Sequence, residues 1–127
     1  MIIGIGMDLV ESARMVPWLA SGLTERFFHP DEAAACRARG PQAAQALAAR
    51  FAAKEALGKA LGTGLRGIRL QDIEVRSNEF GRPVFCLHGT AREAASRCSA
   101  VRIHLTLTHE RTHAAAMVVI EGEPHEQ

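Results

Sequence analysis

Three short stretches of this 127-residue chain carry side chains whose types and spacing suit chemistry. In Arg50–Gly64, Glu55 and Lys59 lie one helical turn apart and project together, about a quarter-turn from the side marked by Leu47, Phe51 and Leu61. That places an acid and a cation on one working face. In Gly4-Ile-Gly-Met-Asp8, the two glycines remove side chains beside a carboxylate, so another backbone, a helix or a ligand can approach it. In Leu105-Thr-Leu-Thr-His-Glu110, His109 ends an alternating run with Glu110 beside it. Each stretch has a plainer reading. A Glu four residues before a Lys is the favoured surface pair, contributing roughly 0.2–0.5 kcal/mol. A strand-end Asp caps the next turn, and a histidine ending an apolar-facing strand is most often simply hydrogen-bonded in place. Their occurrence together shifts the balance.

The elements that must position these residues follow from periodicity. Residues 2–10 alternate, with Ile3, Ile5, Met7 and Leu9 on one side and Ile2, Gly4, Gly6, Asp8 and Val10 on the other, which predicts a strand. Ser12 can cap a short helix that Pro17 would break, or a helix can begin at Pro17 and end near Gly22. Pro30 and Gly40 bracket a second helix, with Asp31 and Glu32 favourably placed near its N-terminus. From Pro41 to Leu61 the pattern is helical, giving the longest element, about 20 residues or roughly 30 Å. Gly62 and Gly64 stop it and free the backbone that follows. Beyond Gly67 the period becomes two: Ile68–Arg76 and Pro83–His88 read as strands joined by a turn containing Asn78 and Gly81. Thr90 with Glu93 gives a capping-box signal for a helix to about Cys98. Val101–His109 and Ala114–Ile120 predict a hairpin about Glu110–His113. This order argues for an α+β fold, an antiparallel sheet packed against a long helix. We expect a single domain over residues 1–121 and a frayed polar tail over 122–127.

With 47% apolar residues the chain can bury a real core, but only 5% are aromatic and Tyr is absent, so small aliphatics must do the packing. Fifteen basic and 14 acidic residues leave a net charge of +1, which gives no global reason to expect nucleic acid or an anionic membrane as partner. Cys36, Cys86 and Cys98 form neither a disulfide framework nor a Cys-x-x-Cys metal site. The N-terminus lacks a basic leader and no apolar run reaches membrane-spanning length, so a cytoplasmic location is expected.

Taken together, these stretches resemble the holo-acyl-carrier-protein synthases of the 4'-phosphopantetheinyl transferase superfamily, short bacterial type. The first is like the family's N-terminal Ile-Gly-hydrophobic-Asp run followed by an Arg, here Arg14. The second matches Phe-x-x-Lys-Glu-Ala-x-x-Lys-Ala-x-Gly at Phe51, Lys54, Glu55, Ala56, Lys59, Ala60 and Gly62. Asp72-Ile-Glu-Val75, Asn78-x-x-Gly81-x-Pro83 and Thr108-His109 match further blocks in order and spacing, from Ile2 to about Glu121.

The resemblance implies transfer of the 4'-phosphopantetheine arm from coenzyme A to a serine hydroxyl of apo-acyl carrier protein, releasing adenosine 3',5'-bisphosphate. It implies Mg2+ held by Asp8 and Glu55, which suits the charge that builds on a diphosphate under attack. Lys59 would stabilise the departing bisphosphate. Arg50, Gly62, Gly64, Thr108 and His109 are the candidate coenzyme A contacts, with a solvated helix Arg and a plain helix stop as the alternatives for Arg50 and Gly62. The general base stays open between His109, Glu110 and a metal-bound water, with the water preferred. Arg14 and Arg26 are expected to meet the acidic carrier protein, and the family implies a homotrimer with active sites between subunits. This chain departs from the pattern in having Thr108 for Ser, Gly58 inside the signature helix, and His29-Pro30 where the family has a Thr ahead of its Glu, here Glu32. The rival readings are a non-catalytic carrier-binding module and a magnesium-dependent nucleotide pyrophosphohydrolase, whose usual acidic clusters are missing.

Overall fold

The structure is a computed structural model that describes residues 1–123. Its first strand, β1 (Ile2–Glu11), passes through a short 3-10 turn at Ser12–Met15 into two one-turn helices, α1 (Val16–Ala20) and α2 (Leu23–Phe27). Both sequence alternatives for this region are thus partly realised, although Ser12 caps nothing: its hydroxyl is buried without a partner. Helix α3 (Pro30–Arg37) begins at the proline as expected. It stops short of Gly40, which opens a 3-10 turn in the left-handed conformation. The long helix α4 (Ala43–Leu61) ends on Gly62 at φ 82°, the left-handed C-terminal stop that glycine adopts without a Cβ penalty.

After α4 come β2 (Ile73–Ser77), β3 (Pro83–Leu87), α5 (Gly89–Arg97), β4 (Ala100–His109) and β5 (His113–Gly122). The strand expected over Ile68–Arg76 begins only at Ile73, because Leu70–Asp72 makes a 3-10 turn first. The Asp72 carboxylate accepts from both the amide (2.9 Å) and the hydroxyl (2.6 Å) of Thr90. That contact also overturns the capping box expected at Thr90 and Glu93, since the Thr90 hydroxyl is spent on Asp72 and on the Arg69 amide (2.9 Å). Asn78 shapes the hairpin turn by accepting from the Phe80 and Arg82 amides.

The sheet is antiparallel in the order β1-β5-β4, with β2 and β3 forming a separate hairpin. Gly122, expected to start a frayed tail, instead ends β5, buried, with its amide donating to the Met1 carbonyl at 2.9 Å. Residues 124–127 of that expected tail lie outside the described residues.

Which face of β1 turns inward is the decisive packing fact. Its apolar side, Ile5, Met7 and Leu9, points outward at 60–63% exposure, while the glycine side lies on α4. A Cβ at Gly4 would sit 1.9 Å from the Ala60 carbonyl oxygen, and one at Gly6 2.0 Å from that of Ala56. Helix and strand therefore meet backbone to backbone. The burial of α4 extends well beyond one stripe: Ala48, Ala49, Ala52, Ala53, Ala56 and Ala60 are buried along one face, and Leu47, Lys54, Leu57 and Leu61 along another. The small alanine side chains are what let neighbours approach the first face so closely.

Candidate active site

The close approach of α4 to β1 builds the first corner of the site. Asp8, on the glycine face of β1, meets Lys59, whose Nζ donates to Asp8 Oδ1 at 3.1 Å and to the Met7 carbonyl at 3.0 Å. Glu55, one turn earlier on α4, is half-buried, and among the described residues it has no ion-pair or hydrogen-bond partner through its side chain. Glu55 and Lys59 thus project together without pairing. Burial, and then the Asp8 charge, push the Glu55 carboxyl above its ordinary range, with Lys59 and Arg14 pulling the other way. Arg14, exposed on the 3-10 turn after β1, lies over the Phe51 ring at 5.8 Å. A half-buried acid beside another carboxylate, offset by one shared lysine, is a donor set that fits a hard divalent cation.

A second corner lies across α4. Arg50 and His109 line a cavity of about 230 Å³ together with Arg39, Ala49, Val75 and Leu107. Arg50 Nε is buried there without a partner, and its Nη1 reaches only the Ala46 carbonyl at 3.4 Å. An orphaned guanidinium nitrogen in a cationic cavity suits a phosphate oxygen. Arg39 was not singled out in the sequence, where nothing separates it from a solvated helix-end arginine.

The two corners do not merge within one chain. Asp8 pairs through Ala116 with Leu107, whereas His109 pairs through Ala114 with Val10, so Asp8 and His109 occupy opposite edge strands. Two strand spacings and two residues of rise separate their backbones by roughly 12 Å. Thr108 faces away from its neighbour His109, outward with Ala115. The Thr112 hydroxyl donates to the Glu110 carboxylate and holds it below the usual range. Gly62 and Gly64 are left-handed, as a helix stop requires, but the expectation that they offer free amides does not hold. The Gly62 amide donates to Lys59 O (3.1 Å) and the Gly64 amide to Gly58 O (3.0 Å). That return contact explains Gly58: a Cβ there would lie 2.8 Å from the Gly64 carbonyl carbon. Arg26, on α2, is exposed with its guanidinium 5.4 Å from the Phe27 ring centroid.

Lys54 carries a role that spacing alone did not reveal. It is fully buried, its Nζ donating to Glu32 Oε1 (2.7 Å), to Leu70 O (2.9 Å) and to Ile73 O. Burial pulls its pKa down and Glu32 opposes that pull. Glu32 also accepts from the amides of His29 (3.2 Å) and Val75 (2.9 Å). His29 completes a capping box by accepting from the Asp31 amide, taking the cap position that a Thr fills in the family pattern. This network ties α3, α4 and β2 together and sets the rotation of α4. A lysine next to a glutamate in an alanine-rich helix gives no sign that it points into the core.

Comparison with known proteins agrees with this architecture. Residues 4–118 match the model of the 4'-phosphopantetheinyl transferase superfamily. A holo-[acyl-carrier-protein] synthase of Treponema denticola is 52% identical over 123 residues, covering 96% of this chain and 100% of that protein. The crystal structure of a Neisseria meningitidis holo-[acyl-carrier-protein] synthase has a TM-score of 0.86 at 31% identity, covering 95% of this chain and 99% of that one. A Bacillus anthracis holo-(acyl-carrier-protein) synthase structure, in complex with CoA (3',5'-ADP), has a TM-score of 0.81 at 33% identity, covering 97% and 99%. The chain belongs to the 4'-phosphopantetheinyl transferase superfamily. Within it, the chain is an enzyme of the holo-[acyl-carrier-protein] synthase type, a phosphopantetheinyl transferase.

Proposed function

We propose that the chain moves the 4'-phosphopantetheine arm of coenzyme A to a serine hydroxyl of apo-acyl carrier protein, releasing adenosine 3',5'-bisphosphate in the cytoplasm. The observation that carries this reading is the contact of Gly4 and Gly6 with α4, which sets Lys59 on Asp8 and leaves Glu55 beside them without a partner. Asp8 and Glu55 are the residues to hold Mg2+, which when bound supplies charge neutralisation and polarisation at a diphosphate. The serine oxygen bonds to the pantetheine-side phosphorus, and the bridging P–O bond to the adenosine bisphosphate breaks. Lys59, mobile and half-exposed, follows the charge onto the leaving oxygen. The serine proton is assigned to a water held at the carboxylate corner, ahead of His109 and Glu110. Arg50, with its orphaned Nε, and His109 receive the phosphates of the nucleotide end. Gly62 and Gly64 contribute by leaving their corner free of side chains, since neither would place a Cβ against a neighbour.

A homotrimer with active sites between subunits is part of the same proposal, and the packing of β1 supports association of copies. Because the glycine face of β1 goes inward, Ile5, Met7 and Leu9 form an apolar stripe outside, extended by Met117 on β5, and burial against further copies of the chain would cover it. Thr108 shares that outward face and would meet coenzyme A held on a neighbouring copy, which unites corners that one chain keeps apart. Arg14, beside the carboxylate corner, and Arg26 are assigned to the acidic carrier protein.

The test incubates the protein with coenzyme A, Mg2+ and an apo carrier protein and follows the carrier's mass. Gain of one phosphopantetheine arm is expected. No gain with wild type would defeat the transferase reading, and a gain that persists in both Asp8→Ala and Glu55→Ala would defeat the carboxylate assignment. Coenzyme A hydrolysis without carrier protein would favour the pyrophosphohydrolase instead.

A further inference from the structure

Away from both corners, three metal-ligating side chains meet where α3, β2 and α5 converge. His29 sits at the N-cap of α3 and His88 at that of α5, and their rings stack with centroids 5.0 Å apart and planes 18° apart. Between them lies Glu74 of β2, 1% exposed, whose Oε1 is 2.8 Å from His88 Nε2 and 3.7 Å from His29 Nδ1. One donor atom from each residue can be chosen so that all lie within 4.8 Å of one another. Donors bound to a single tetrahedral ion stand roughly 3.3–3.6 Å apart, a spacing that the two measured separations bracket.

We propose that His29, Glu74 and His88 form a second metal site, for a zinc-like first-row transition cation that staples the start of α3 to the base of the β2–β3 hairpin and the start of α5. The donor chemistry separates it from the magnesium corner. Two imidazoles and one carboxylate favour zinc, cobalt or nickel, whereas magnesium takes oxygen donors and keeps its water. The site shares no residue with Asp8 and Glu55.

Charge at the site argues in the same direction. Two helix N-termini flank the cluster and disfavour a cation by themselves. Against them stands the buried Glu74 carboxylate, with one oxygen 2.8 Å from His88 Nε2 and the other held by Arg76. Arg76 Nε donates to the other carboxylate oxygen at 2.7 Å, fixing the orientation that leaves Oε1 facing the imidazoles, as the outer partners of metal ligands do. On the open side the exposed Asp31 carboxylate lies 3.9 Å from His29 Nδ1 and offers a fourth oxygen. Binding through His29 Nδ1 would replace its hydrogen bond from the Asp31 amide, a 3.2 Å contact, so metal and helix cap compete for that nitrogen.

The experiment titrates Co2+ into the metal-free full-length chain and follows visible d–d absorption, with Zn2+ and Mg2+ as competitors. One Co2+ per chain is expected, displaced by Zn2+ and not by millimolar Mg2+, with a rise in Tm on adding Zn2+. His29→Asn and His88→Asn keep favoured cap residues, and Glu74→Gln keeps side-chain size; each is expected to weaken binding at least 10-fold. Imidazole NMR signals of His29 and His88 should shift and broaden on adding Co2+, while those of His104 and His113 stay unchanged. Absence of d–d absorption up to millimolar Co2+ would overturn the proposal. So would binding within twofold of wild type in all three variants, or paramagnetic effects centred on His104 or His113.

Discussion

Substituting Gly6 by Ala tests the link from strand composition to catalytic geometry. Gly6 has no positive φ, so alanine suits its backbone and, on conformational entropy alone, would gain roughly 0.5–1 kcal/mol. The opposing effect is steric. The new Cβ would lie 2.0 Å from Ala56 O, 2.7 Å from Ala60 N and 3.0 Å from Lys59 Cβ. The first two neighbours are helix backbone, so relief requires α4 to retreat as a body by about 1 Å or more, since Cβ contacts below about 3 Å are not tolerated at normal packing density. Overpacking of this kind costs about 1–3 kcal/mol. At roughly 3–5 °C per kcal/mol for a domain of this size, Tm falls by about 3–15 °C. The same retreat carries Glu55 and Lys59 away from Asp8, and a misplacement of about 1 Å at reacting groups costs on the order of 100-fold in rate. The assay pairs thermal unfolding with the rate of carrier-protein modification, using Gly22→Ala, which meets no atom within 4 Å, as the control expected to stay within about 0.5 kcal/mol of wild type. If Gly6→Ala matches wild type in both Tm and rate, the argument that glycine sets the corner is wrong.

Lys54→Met should destabilise by about 3–5 kcal/mol in denaturant unfolding, because Glu32 is left charged and unpaired in the core, and adding Glu32→Gln should recover part of the loss; a single variant as stable as wild type would exclude a structural role for this pair. Arg50→Ala is expected to raise the KM for coenzyme A about 10-fold with a smaller change in kcat, as loss of a ground-state phosphate contact requires; an unchanged KM removes Arg50 from the nucleotide site. Burial pushes the Cys36 thiol up to about 11. The unfolded chain therefore ionises first, and this contribution to stability is complete below about pH 9 and lost as pH climbs through about 11. Folded protein at pH 9 should resist alkylation at Cys36, and Cys36→Ala should flatten the alkaline loss of stability; rapid labelling of the native thiol would contradict this. The proposed homotrimer predicts that Met7→Lys, on the outward face of β1, lowers the light-scattering mass from that of a trimer to that of a monomer, and a mass unchanged by the substitution would contradict an interface on this face.

Element type and order were legible in the sequence wherever the pattern was local. The period of two in 2–10, 83–88, 101–109 and 114–120, the helical run to Leu61, the start at Pro30 and the stop at Gly62 all act over a few residues, and the structure carries them close to their expected bounds. Local signals misled where a distant group competed for the same atom. Asp72 takes the Thr90 hydroxyl that a capping box would use.

What only the tertiary structure decided is which faces meet. Alternation in β1 distinguishes two faces without saying that the glycine side is the core and the Ile5-Met7-Leu9 side the surface; that follows from backbone contact with α4, more than 45 residues on. Helical spacing shows that Glu55 and Lys59 project together, but their burial and their relation to Asp8 depend on that same contact. Lys54 looks like any helix lysine until α3 and β2 close over it. For Asp8, Glu55, Lys59 and His109 the residue types alone left plainer readings open, and their occurrence together in the blocks of one family pattern pointed to the proposed chemistry. Their division into two corners came from strand order, a long-range pairing that short-range periodicity does not encode.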